Sequence, residues 1–279
     1  MITLLLAAAA IPALDCAETA ALRGSGFCAP AGGATREKLP APGVQWKINE
    51  ASATRAPWLD ANGWRLERHP GKRWMTVVPA GAAALAAAEV SAYEADGVLR
   101  IEPKDLEEYR RIRAFLERVE APALPLRANI AVVDDGSALA GEVLNLLARR
   151  NLLARAVRAP APGYDLTVRV TPEAANPSAF AAKVRRELGD EKRLVRVFGS
   201  EVVIARLTGD AARARLHLIN YGQQPIEGLR VRVLGEYRKV TLAAFGYDAA
   251  KAEDVEVVEG GTEFSIPELG VYAVANLWR

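Results

Sequence analysis

Residues that usually carry catalysis are scarce in this sequence: there are two histidines, His69 and His217, and two cysteines, Cys16 and Cys28. Neither cysteine stands at metal-ligand spacing to a histidine, so no zinc centre or other metal site is expected. A Gly-x-Ser-x-Gly elbow is missing, which removes the commonest serine hydrolase arrangement. Neither Gly24-Ser25-Gly26 nor Gly260-Gly261 continues into a phosphate-binding loop, and no cofactor is expected. An excess of charge is lacking too, since 36 basic side chains face 34 acidic ones for a net +2. That balance leaves no electrostatic footprint for nucleic acid. The pairs Arg110-Arg111, Arg149-Arg150 and Arg185-Arg186 read as solvated helix edges. Beyond the N-terminus there is no second long apolar run, so no membrane-spanning segment is expected after the leader is removed.

What is present describes a folded chain, because 51% hydrophobic and 25% charged residues are enough to build a core and too apolar for disorder. Residues 2–14 are apolar except for Thr3 and are closed by Asp15, the length of a signal-peptide core. Residues 1–20 are therefore expected to be a signal peptide cut between Ala10 and Ala20, although no Lys or Arg precedes the run and no Ala-x-Ala site stands out. Asp15 before Cys16 argues against a lipid anchor. A cut before Cys16 leaves two cysteines able to pair in an oxidising compartment, and a cut after it leaves Cys28 alone. The expected location is secreted or periplasmic. Residues 21–45, rich in Gly, Ala and Pro without a period, read as a flexible leader.

Residues 46–199 alternate extended and helical segments, the pattern of an α/β domain with a mostly parallel, flavodoxin-like sheet covered by helices. Leu106, Tyr109, Ile112, Leu116 and Val119 recur at spacings of three and four and should form one helix face. Residues 130–133 make an apolar strand leading into Asp134-Asp135-Gly136-Ser137, whose serine can cap a helix. Residues 194–198 are expected to close that sheet. From 200 to 279 the strands become short and alternating, as in Arg230-Val231-Arg232-Val233, and predict a small antiparallel β-sandwich.

Two clusters are candidates for chemistry. Four of the five tryptophans, Trp46, Trp58, Trp64 and Trp74, fall in one stretch together with Arg55, Asp60, Asn62 and Arg65. Flat rings cover the C–H faces of a sugar, and carboxylate, amide and guanidinium groups match its hydroxyls. Trp58, Asp60, Asn62, Trp64 and Arg65 are thus the candidate glycan-binding residues, with edge packing as the alternative use of the rings. Asp134 and Asp135 sit where a strand meets its helix, the carboxyl end at which parallel sheets hold ligands, and capping would explain them as well. A glycosidase needs two carboxyl groups about 5 to 9.5 Å apart. Chain spacing nominates no pair, and Asp60, Asp134 and Asp135 are the weak catalytic candidates.

The run from Ala128 through Ile130 and Val133 to Ser137, with Glu142 to Leu147 after it, resembles the class I glutamine amidotransferase-like domain. In the β-galactosidase group that fold serves as a trimerisation domain. Arg215 to Tyr221 and Pro267 to Val274 are similar to the β-sandwich that closes many glycoside hydrolases. Residues 44–120 resemble those of exported bacterial proteins of the same arrangement. The resemblance covers residues of about 128–279 best and implies accessory domains of a carbohydrate enzyme, with a glycan partner and a capacity for self-association. An amidotransferase needs a nucleophilic cysteine, and none follows Cys28, so glutaminase activity is not implied. A complete catalytic barrel takes ~250 residues and has no room before residue 128. The expectation is a carbohydrate-associated, non-catalytic binding or assembly protein, with a glycoside hydrolase as the alternative.

Overall fold

The computed structural model describes residues 11–17, 19–30, 35–45, 57–119 and 121–279. The chain divides into two compact units, Met1–Ile48 with Trp58–Ala123, and Asn49–Pro57 with Leu124–Arg279. Trp46 and Arg55 lie outside the described residues.

The first unit runs β1 (Ala13–Leu14), α1 (Ala20–Arg23), β2 (Glu37–Leu39), β3 (Gly43–Gln45), β4 (Trp58–Asp60), α2 (Gly63–Arg68), β5 (Arg73–Val77), α3 (Ala83–Ala92), β6 (Asp96–Arg100) and α4 (Leu106–Val119). Four of these strands form a parallel sheet in the order β1-β6-β5-β2, and β3 pairs antiparallel with β4. Register pairs Ala13 with Val98, Val98 with Met75, and Met75 with Lys38. Because side chains alternate along a strand, these residues share one face, and Leu14, Leu99, Gly97, Thr76, Trp74 and Leu39 share the other. The second face is the buried one. Helix α3 lies against it and is buried along its whole length. Close approach requires glycine at position 97, since a Cβ there would stand 2.6 Å from Val90 Cγ1. Helix α4 buries Tyr109, Ile112, Phe115 and Leu116, largely the face its spacing predicts. The buried hydroxyl of Tyr109 donates to the Pro12 carbonyl and so fixes the segment that enters β1.

No side chain caps the N-terminus of α3 from its own turn. Acids from the next loop and helix supply acceptors instead: Asp105 Oδ2 takes the Gly81 N–H at 3.2 Å, and the Glu108 carboxyl accepts from Ala84 and Ala83. Burial nonetheless pushes the Glu108 carboxyl above its ordinary value.

Strands β1 and β2 fall within segments expected to be signal peptide and leader. Residues 13–14 lie within the segment read as a removable signal peptide, yet they pair with β6. Residues 37–39 lie within the segment read as a flexible leader, yet they pair with β5. Strands of two and three residues carry no readable period, and the surrounding Gly, Ala and Pro dominated the composition.

The second unit continues with β7 (Ile130–Val133), α5 (Ala138–Ala148), β8 (Ala154–Val157), β9 (Leu166–Arg169), α6 (Pro177–Leu188), β10 (Val195–Val197), β11 (Val203–Gly209), β12 (Arg213–Asn220), β13 (Ile226–Leu234), β14 (Lys239–Ala244), β15 (Glu253–Val258), β16 (Gly261–Leu269) and β17 (Tyr272–Trp278). β8-β7-β9 is a three-stranded parallel sheet. Its helices are capped as their residues predict, with Ser137 Oγ accepting from Ala140 N and Asn176 Oδ1 from Ala179 N, each at 3.1 Å. Two four-stranded antiparallel sheets follow, β10-β13-β16-β15 and β11-β12-β17-β14. They enclose a core that includes Val203, Leu207, Leu216, Leu218, Val231, Val233, Phe264 and Leu277.

The protein is thus mixed α/β, with parallel and antiparallel sheets kept apart. The parallel strands expected to make one sheet over residues 46–199 belong to two sheets in different units. Residues 195–197, expected to close the parallel sheet, instead pair antiparallel with Val231–Val233 in the sandwich. An apolar run specifies burial and leaves the direction of its partner open.

Candidate functional site

The aromatic stretch is brought together on β4 and α2. Trp58 and Asp60 are half-buried on β4, and Gln45 Nε2 donates to Asp60 Oδ2 at 2.6 Å across the β3–β4 pair. Asn62 precedes α2 and is fully buried. Its backbone N–H donates to Glu89 Oε1 at 2.6 Å and its Nδ2 to Glu89 Oε2 at 2.9 Å and to the Pro40 carbonyl at 3.0 Å. Arg65 donates to Asn62 Oδ1 at 3.2 Å, and its guanidinium lies 4.2 Å from the Trp64 ring centroid. Asn62 therefore holds the structure and presents no free group, which corrects its expected role as a sugar ligand. Trp64 is half-buried, its indole N–H buried without a hydrogen-bond acceptor among the described residues. Trp74 packs inside with Leu39 and Leu66. Trp58, Asp60 and Trp64, each half-buried, are what this region offers a ligand.

Asp134 and Asp135 follow β7 in the second unit. Asp134 Oδ1 accepts from Gly136 N and Asp135 Oδ1 from Ser137 N, each at 2.9 Å, so both aspartates are tied into the turn that opens α5. Hydrogen bonding from Ser137 holds the Asp135 carboxyl below its ordinary value, the opposite of what a general acid needs. Among the described residues no group of three or more His, Cys, Asp or Glu side chains is arranged to hold a metal ion.

A cavity that the sequence did not single out lies on the more open face of the β1-β6-β5-β2 sheet. Its volume is about 720 Å³, and its lining includes Asp15, Arg23, Arg36, Met75, Val98 and the Cys16–Cys28 disulfide. Asp15 follows β1 and lies beside the end of β6, where Arg100 Nε and Nη2 reach its Oδ2 at 3.0 and 2.7 Å. Ala17 N donates to its other oxygen at 3.1 Å. Burial alone would raise this carboxyl; the hydrogen bonds from Arg100 and Ala17 and the charges of Arg100 and Arg36 outweigh burial and hold it below its ordinary value. The two cysteines, twelve residues apart, were the available signal, because their pairing closes residues 16–28 into a loop.

No protein-family model matches the chain, and no curated protein matches it in sequence. The fold, however, is shared with a solved enzyme. Alpha-L-fucosidase isoenzyme 2 from Paenibacillus thiaminolyticus superposes with a TM-score of 0.58 at 10% identity, over 77% of this chain. The match takes in 62% of the fucosidase chain, so this protein spans less than two thirds of its length. An endoxylanase from Clostridium papyrosolvens aligns over 74% of this chain and 48% of its own at 9% identity, with a TM-score of 0.23 that carries no argument. The match shows a fold in common with that fucosidase.

Proposed function

We propose that this protein binds carbohydrate without hydrolysing it, on a glycoside hydrolase-like scaffold. The fold shared with the fucosidase is the observation that carries the reading. Strand order supports it: β2, β5 and β6 advance side by side and β1 follows β6, the succession in which the last three strands and the first meet in a closed βα-barrel. Among the described residues four such strands are present, which make an arc. The state of the nominated carboxylates supports binding over catalysis, since Asp134 and Asp135 serve a turn and Asp60 is held by Gln45. Glu108, raised by burial, has the character of a general acid and favours the hydrolase alternative, but it and Asp105 cap α3.

The amidotransferase-like, flavodoxin-like part, β7 to α6, and the sandwich then serve as accessory or self-assembly modules, and the chain works after export to a secreted or periplasmic location. The Cys16–Cys28 bridge supports an oxidising compartment. A cut at Ala10, the start of the expected range, keeps both β1 and the bridge. The test is a glycan panel titrated against residues 11–279 and a Trp58→Ala, Trp64→Ala variant, with bound glycans assayed for hydrolysis. Saccharide binding without release of product supports the reading. Turnover overturns the non-catalytic part, and no binding to any saccharide overturns the whole.

A further inference from the structure

The cavity on the sheet's more open face has an electrostatic imbalance. By register and alternation, Lys38, Arg73, Met75, Val98 and Arg100 belong to this face, and Asp15 and Arg36, next to β1 and β2, line its cavity. Arg73 is paired with Asp96 at 3.0 Å and Arg100 with Asp15 at 2.7 Å. Arg36 has no such partner among the described residues: it lines the cavity, its Nε is buried without a hydrogen bond, and its charge reaches Asp15 without contact. Arg23 adds a second cation, its Nε and Nη2 donating to the carbonyls of Cys16 and Ala17 at 3.4 and 2.9 Å. Asp15, already matched by Arg100, leaves the lining with two cations in excess. A buried guanidinium nitrogen without an acceptor is costly, and a planar anion presenting two oxygens relieves it.

We infer that this cavity binds a sugar acid, its carboxylate on Arg36. The inference rests on the carbohydrate reading and names the class of ligand. Met75 and Val98 give the lining the apolar surface that a sugar ring's C–H face needs. The Asp15 carboxylate accepts three hydrogen bonds within the protein, from Arg100 Nε and Nη2 and from Ala17 N, and has one lone pair left for a hydroxyl group. A volume of about 720 Å³ has room for a monosaccharide or a short saccharide end.

The experiment is calorimetric titration of the chain from residue 11 with glucuronate and galacturonate, with glucose and galactose as neutral counterparts, and with acetate. An oligogalacturonate distinguishes a chain end from a free acid, and tighter or equal binding of it supports the assignment either way. The uronates are expected to bind about tenfold or more tighter than the neutral sugars. Arg36→Ala should abolish that preference and Arg36→Lys restore part of it. Arg36→Met, which keeps the stem, guards against a folding defect, with thermal melts confirming the fold. Uronates binding no better than neutral sugars, or a preference that survives Arg36→Met, overturns the assignment while leaving carbohydrate binding intact. Acetate binding through Arg36 with no saccharide bound overturns the carbohydrate reading instead.

Discussion

Asn62 illustrates how a single side chain can be misread as a ligand. Asn beside Trp and Arg has the chemistry of a sugar contact, yet here the amide is buried and donates to Glu89, a buried carboxylate that would otherwise lose this donor. Asn62→Ala should therefore lower stability by about 2–3 kcal/mol, seen as a shifted urea midpoint at unchanged slope. An unchanged midpoint would mean the contact adds nothing. Titration adds a second prediction at this scale. Burial, with Arg206 and Arg215 nearby, holds the His217 imidazole well below 6.5 and therefore neutral in the fold. The unfolded chain then binds the extra proton, so this contribution is complete above pH 6.5 and is lost as pH falls below it. Asp15, also held low, adds a contribution present above pH 3.8 and lost on further acidification. Stability measured against pH should fall in two limbs, and Asp15→Asn should reduce the lower one, to which Asp135, Asp190 and Asp210 also contribute, and leave the upper one unchanged.

Among elements, the helix–sheet contact of the first unit turns on Gly97, which lets α3 approach β6. Gly97→Ala places a methyl group 2.6 Å from Val90 Cγ1 and should destabilise by about 1–3 kcal/mol. Val90→Ala in the same chain should recover much of the loss, and equal, additive losses in a double-mutant cycle would show that the two positions do not meet. Elements were legible in the sequence where periodicity was long enough. The spacing of Tyr109, Ile112 and Leu116 gave α4, and the alternation of Val231 and Val233 between Arg230 and Arg232 gave β13. Strands β1 and β2 were hidden because two or three residues cannot show a period, and β10 was assigned to the wrong sheet because Val195 and Val197 would suit a parallel neighbour equally well. The candidate site was legible only in part: the tryptophan stretch was seen, while most of the cavity's lining lay in residues set aside as signal peptide or leader.

At the scale of the whole chain, the N-terminal segment links folding to the proposed export. A cut after Ala10 leaves Pro12 to bond Tyr109, Ala13–Leu14 to pair with β6, Asp15 to meet Arg100 and Cys16 to bridge Cys28. A cut after Ala20 removes all four at once. Loss of the bridge alone, which closes a loop of about a dozen residues, costs about 2–4 kcal/mol, and the β6 edge that loss of β1 would expose is an invitation to association. Expressed as residues 11–279, the protein should be monodisperse, and peptide mapping without reductant should recover Cys16 and Cys28 linked. Expressed as residues 21–279, it should melt at a markedly lower temperature or aggregate. Equal melting of the two forms would show that β1 is dispensable, and the cavity, which needs Asp15 as one wall, would then have to be abandoned as a binding site.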